Sequence, residues 1–176
     1  PDHASAMVTA LNTIRADQGP FWGLIGYSQG AAAVPVYLSN VPDGTFQAAA
    51  MFCGYLTTTH TGLLNKVNDE APFGDIPALI WFSTADTVIT PGLSRGLGPK
   101  FTSPNLIEAD PGPGHIPPSC GDSTFNEVVT WFQTTGGASA ASGGSAACSR
   151  SAAAGTAGLP AAALMVALPS IALSLA

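Results

Sequence analysis

Ser28, Asp86 and His115 are the residues whose types and order could carry nucleophilic chemistry in this chain. Ser28 sits in Gly26-Tyr27-Ser28-Gln29-Gly30, a G-x-S-x-G pattern placed between the apolar run Phe21 to Ile25 and the small-residue run Ala31-Ala32-Ala33-Val34. A serine hydroxyl is a poor nucleophile at neutral pH and needs a base to take its proton. That base in turn needs a partner that fixes its tautomer and stabilises the imidazolium. The chemistry such a set performs is acyl transfer. Ser28 would attack, His115 would act as base and Asp86 would orient it. The N–H of Gln29, the residue after the nucleophile, would hold the oxyanion.

Rivals to each role are weaker on context. A second G-x-S-x-G, Gly92-Leu93-Ser94-Arg95-Gly96, follows Thr90-Pro91 instead of a strand. Its continuation Leu97-Gly98-Pro99 is a poor helix start, since proline lacks a donor and glycine is costly there. His3 reads as a solvated helix-start residue and His60 as a surface polar group. Asp110 precedes His115 by only five residues on one loop, which suits a turn cap better than support of the imidazole. Asp75 and Asp122 read as turn and helix-start residues. Tyr27 and Tyr55 are expected to contact substrate. The three cysteines have no metal-ligand spacing, so neither a metal nor a cofactor is expected. Cys53 reads as a small buried hydrophobe. Cys120 and Cys148 either pair, if the protein is secreted, or stay as two thiols.

The elements that must position these residues alternate along the chain. Helical spacing runs from Ala4 to Asp17 and stops at Gln18-Gly19-Pro20. A strand over Phe21 to Gly26 leads through the serine turn into a helix from about Gln29 to Ser39. Phe46 to Gly54 and Ile76 to Ser83 read as buried strands, and Asn105 to Ala109 as a fourth. A short helix is expected near Pro91 to Leu97. A last helix spans Thr124 to Thr134, with Thr124 and Glu127 as a capping box. Leu56 to Phe73 has weak periodicity and reads as a lid or substrate loop. Its Leu63, Leu64 and Phe73 would suit an acyl-binding wall or core packing equally.

Strands alternating with helices imply an α/β fold, a mostly parallel sheet with helices on both faces. Ligands of such sheets bind at the carboxyl ends of the strands. Ser28, Asp86 and His115 all fall just past such ends, and the order Ser, Asp, His is that of the α/β-hydrolase fold.

Composition sets further bounds. The 176 residues suffice for one domain with a sizeable core. Five Lys and Arg against eleven Asp and Glu give a net charge of −6, so there is no basic stripe for phosphates and nucleic acid is excluded as a partner.

Gly19-Pro20-Phe21-Trp22-Gly23-Leu24-Ile25-Gly26-Tyr27-Ser28-Gln29-Gly30-Ala31-Ala32 resembles the signature of the FSH-type serine hydrolases. Three further motifs follow in the family's order: Phe52-Cys53-Gly54-Tyr55, Ile76-Pro77 with Asp86-x-Val88-Ile89, and Gly114-His115-Ile116-Pro117. The chain departs at Pro113, where the family prefers Gly, and at Tyr27, where it has Phe. The resemblance covers roughly Ala4 to Thr134. It implies an α/β-hydrolase that cleaves a carboxylic ester or acyl thioester, with Ser28 as nucleophile, Asp86 as acid and His115 as base. The family's first strands and the loop carrying a second oxyanion donor have no counterpart, so the chain reads as lacking an N-terminal part. A non-catalytic, surface-anchored protein that keeps the hydrolase scaffold is the competing expectation.

The chain thus divides into a hydrolase portion (1–135), an Ala/Gly/Ser-rich linker (136–158) and an apolar tail (159–176). Ser145-Ala146-Ala147, the spacer Cys148 to Gly158 and the uncharged tail match a lipid-anchor attachment signal. That pattern predicts membrane attachment at the cell surface. The competing expectations are a retained membrane tail, a tail without a role, and a cytoplasmic enzyme.

Overall fold

The computed structural model describes residues 3–136 and 164–166. Helix α1 (His3–Gln18) leads into β1 (Gly23–Tyr27) and α2 (Gln29–Leu38). Strand β2 (Ala48–Phe52), α3 (Thr61–Glu70), β3 (Ala78–Ser83) and α4 (Pro91–Arg95) follow. A 3-10 turn at Gly98–Lys100, β4 (Pro104–Ala109), α5 (Phe125–Thr135) and β5 (Leu164–Val166) complete the order. The sheet is parallel throughout, in the order β4-β3-β2-β1-β5.

Side-chain alternation along each strand builds two core layers. Ala49 and Met51 of β2, with Ala78, Ile80 and Phe82 of β3, pack on the face covered by α1, α2 and α3. Ala48, Ala50 and Phe52, with Leu79 and Trp81, meet Val128 and Trp131 of α5 on the other face. Both central strands are therefore buried on both sides, which explains their unbroken apolar sequences. The alanines of α2 let it lie close on β1 and β2, and Gly30 to Tyr37 are buried along it.

Three expectations need correction. Leu56 to Phe73 contains helix α3, whose N-cap is His60: the Leu63 N–H donates to its Nδ1 at 3.3 Å. Phe73 and Leu63 pack into the core, which decides against their forming an acyl wall. Thr124 does not form a capping box, because its hydroxyl accepts the Trp81 indole N–H at 2.8 Å in the core. Gly98-Pro99 does open a turn of helix, of the tighter 3-10 kind.

Strand β5 pairs with β1 through Leu24↔Leu164, Ile25↔Met165 and Gly26↔Val166. The rest of the tail, with Ser145-Ala146-Ala147 and Cys148, lies outside the described residues. Cys120 is disulfide-bonded, and Cys53 is the free thiol among the described residues. No helix among them is long and apolar enough to cross a membrane.

Candidate active site

The strand-to-helix turn forces Ser28 into an unusual backbone, φ 54° and ψ −119°. Non-glycine residues avoid this region at a cost of order 1–3 kcal/mol, and it persists where the surroundings over-determine it. Here the Ser28 N–H donates to the Phe52 carbonyl of β2 at 2.9 Å, and α2 begins at once. Gly26 permits the crossing. A Cβ there would stand 2.4 Å from the Gly30 carbonyl oxygen and 2.6 Å from Ala31 Cα. Gln29 is the first helical residue, so its N–H has no carbonyl four residues back to bond, and it lies at the positive end of the helix dipole.

Asp86 follows β3 and is 3% exposed. Its Oδ1 accepts the N–H groups of Val88 and Ile89 at 2.9 and 2.8 Å, while Oδ2 faces His115 Nδ1 at 2.8 Å. Burial pushes its carboxyl up, but the hydrogen bonds from His115, Ile89 and Val88 outweigh it and hold Asp86 below the usual carboxylate value. His115 lies in the loop after β4, with Nε2 2.9 Å from Ser28 Oγ. The tautomer carrying its proton on Nδ1 donates to Asp86 and leaves Nε2 free to accept the serine proton. Three residues 87 and 29 positions apart in sequence thus meet in one hydrogen-bonded line.

Other residues hold that line in place. The Tyr27 hydroxyl donates to the His115 carbonyl at 2.7 Å, and the two rings lie 5.3 Å apart. Burial above all, with the charge of Asp86 adding to it, raises the Tyr27 hydroxyl above its ordinary value and keeps it a donor. Ser83, fully buried at the end of β3, accepts the N–H groups of Ala85 and Gly114, each at 3.1 Å. It therefore ties the loop bearing the acid to the loop bearing the base. Gly112 is required beside it, since a Cβ there would fall 2.5 Å from Ser83 Oγ. Neither link was legible in sequence beyond a lone serine ending an apolar strand and a tyrosine where the related family has phenylalanine.

The rivals fall into structural roles. Ser94 is buried inside α4 and donates to the Gly54 carbonyl at 2.8 Å. Asp110 accepts the Thr84 hydroxyl at 2.9 Å, and Asp122 accepts that of Ser119 at 3.0 Å. Exposed His3 begins α1. Tyr55 is half-buried past β2, its hydroxyl pushed up by burial, and is not part of the hydrogen-bonded line. Cys53, Asp86 and His115 offer ligand atoms within 4.8 Å of one another, the set among the described residues that could share a metal ion. Two of these three are already bonded to each other in the line.

A parallel sheet covered on both faces, with a serine on the strand-to-helix turn and an acid and a histidine past later strands, defines an α/β-hydrolase. Residues 2–123 match the serine hydrolase (FSH1) family, and the chain belongs to it. It is 31% identical over 133 residues to Esterase OVCA2 of Danio rerio, an alignment covering 72% of this chain and 56% of that protein. The chain therefore spans about half the length of this relative. Among solved structures, the esterase domain of a Rhodothermus marinus protein superposes with a TM-score of 0.58 at 17% identity, covering 75% of this chain and 67% of that one. An α/β-hydrolase from a lagoon-sediment metagenome gives 0.57 at 14% identity, over 74% and 69%. These likenesses show the shared fold.

Proposed function

We propose that the protein cleaves a carboxylic ester or acyl thioester through an acyl-enzyme on Ser28. The observation that carries this reading is the continuous contact from Ser28 Oγ to His115 Nε2 and from His115 Nδ1 to Asp86 Oδ2, at 2.9 and 2.8 Å. Ser28 Oγ bonds to the acyl carbon while its proton passes to His115 Nε2. The oxyanion of the tetrahedral intermediate takes a hydrogen bond from the Gln29 N–H. His115 then returns the proton to the leaving alcohol or thiol as the carbon–heteroatom bond breaks, and water repeats the sequence on the acyl-serine. Throughout, Asp86 holds the imidazole and stabilises its charged form.

Tyr27 and Ile116, the sequence neighbours of Ser28 and His115, and Val88, two residues past Asp86, are exposed apolar side chains. They support an apolar acyl or alcohol group on the substrate, with the Tyr27 ring as a contact. Tyr55 is a second proposed contact, on its place past the end of β2. Incubation with a slowly hydrolysed p-nitrophenyl ester, followed by peptide mass spectrometry, tests the mechanism. The acyl mass is expected on the peptide holding Ser28. Turnover without that adduct in acid-quenched samples would argue against a covalent route.

For location, the sequence of 136–176 supports lipid attachment at the cell surface, while the pairing of Leu164–Val166 with β1 supports a tail kept on the domain. Mass spectrometry of the mature protein from the native host separates the two: cleavage near Ser145 supports the anchor, and a chain that still carries Leu164–Val166 supports the retained tail.

A further inference from the structure

Cys53, Asp86 and His115 follow three different strands, β2, β3 and β4, so no sequence spacing shows them as a set. In the fold, a sulfur, a carboxylate oxygen and a ring nitrogen from them lie within 4.8 Å of one another. Each is held by its own surroundings. The N–H groups of Val88 and Ile89 fix Asp86 Oδ1, which leaves Oδ2 facing His115 Nδ1 at 2.8 Å. Tyr27 holds the His115 carbonyl. Cys53 is fully buried at φ 49°, with its N–H on the Trp81 carbonyl at 2.9 Å. Sulfur, imidazole nitrogen and carboxylate oxygen are the donors that suit zinc, which in an open site takes three protein ligands and a water. With bonds of about 2.0–2.3 Å in a tetrahedron, neighbouring ligand atoms stand roughly 3.3–3.6 Å apart. Asp86 and His115 would need to part by only about half an ångström, and the sulfur starts no farther than 4.8 Å from either. The His115 side chain is 20% exposed and gives the ion and its water a way in from solvent.

We propose that Cys53, Asp86 and His115 form an inhibitory zinc site that switches off the serine. The inhibition rests on the reading of Ser28, Asp86 and His115 given above; the site itself does not. The Cys53 sulfur bonds the ion, and its proton leaves to solvent. Asp86 binds through Oδ2. His115 binds through Nδ1, whose proton moves by way of solvent to Nε2. Nε2, 2.9 Å from Ser28 Oγ, is then a donor with no lone pair for the serine proton. Asp86 at the same time faces the ion in place of the imidazole. Burial above all pushes the thiol up to about 12, so without an ion it keeps its proton and leaves the hydrogen-bonded line intact. Zinc here is a reversible inhibitor and not a cofactor.

Metal ions added alone test the site. Cobalt(II) reports binding through the thiolate-to-metal charge-transfer band in the near ultraviolet, and zinc reports function through the rate of fluorophosphonate labelling. Wild type is expected to give the band and to lose it when zinc displaces cobalt. In saturating zinc it should be labelled about a hundredfold more slowly, the low end for loss of a general base, and EDTA should restore the rate. Loss of even an outer-shell partner costs a metal site about 10–100-fold in affinity. Cys53→Ser, without the sulfur, should therefore lack the band and need at least about tenfold more zinc for the same fractional slowing, measured against its own rate without zinc. Cys53→Gly, which accepts the positive φ without strain, serves where serine does not fold. Folded wild type without the band, or a variant lacking the thiol that is slowed at the same zinc concentration, would overturn the proposal. So would a wild type that is labelled at full speed with the site filled. A wild type that gives the band but is not labelled even without zinc would refute the catalytic reading while supporting the metal site.

Discussion

Tyr27, the residue before the nucleophile, donates its hydroxyl to the backbone carbonyl of His115, the base, at 2.7 Å. The turn that exposes Ser28 therefore also restrains the group that must take its proton. Tyr27→Phe removes only that hydroxyl and leaves the ring against the imidazole. A neutral hydrogen bond is worth about 0.5–1.5 kcal/mol, so kcat should fall up to about tenfold with KM little changed. Steady-state kinetics on a p-nitrophenyl ester measure it, and an unchanged kcat would show that the loop stands without the contact.

Removing Ser83 should reach further, because it serves two loops. Ser83→Ala strips the acceptor from the N–H groups of Ala85 and Gly114. Both donors are only part-buried, so each lost hydrogen bond costs about 0.5–1.5 kcal/mol, and denaturant unfolding should register a loss of that order. Activity should fall beyond what the unfolded fraction explains, since Asp86 and His115 lose their common tie.

Ser94 makes the opposite forecast. Its hydroxyl bonds the Gly54 carbonyl, outside the hydrogen-bonded line of Ser28, His115 and Asp86. Ser94→Ala should lower the melting temperature while the folded protein keeps its labelling by fluorophosphonate. Loss of labelling at full stability would mean that the second G-x-S-x-G had been assigned the wrong role.

Asp86 supports both stability and chemistry. Its folded carboxyl is held below the ordinary value despite burial, so it binds its proton less readily in the native than in the unfolded chain. The resulting stabilisation is present above about pH 4, where an unfolded aspartate is ionised, and disappears as pH falls through the lower native value. Asp86→Asn removes that titration. Its stability should change less steeply than wild type below about pH 4, as followed by urea midpoints against pH. At neutral pH its kcat should drop steeply, toward the roughly 10⁴ seen when a triad acid becomes its amide in a serine protease.

Much of this architecture was legible in the sequence because few residue types suit the turn at Ser28. Gly26 and the alanines after Gln29 fit only where strand and helix nearly collide, and the two-sided burial of β2 and β3 leaves continuous apolar runs. What escaped reading were contacts made by side chains with several possible uses. His60 as a helix cap is not distinguished in sequence from a surface histidine, so α3, a helix that buries only Val67, went unseen. Thr124 precedes Glu127 as a capping box would, yet the Trp81 indole competes for its oxygen and wins, since a buried N–H without a partner is costly. The ties through Tyr27 and Ser83 depend on which strand ends become neighbours, and that is a property of the assembled sheet.

The central claim is that Ser28 is an activated nucleophile, and covalent labelling by a fluorophosphonate probe tests it most directly. The wild-type protein should be labelled, and peptide mapping should find the adduct on Ser28. Ser28→Ala should abolish the signal, and Ser94→Ala should retain it. Folded wild-type protein that resists the probe, or a Ser28→Ala variant that still reacts, would contradict the account and favour a hydrolase scaffold kept without its catalysis.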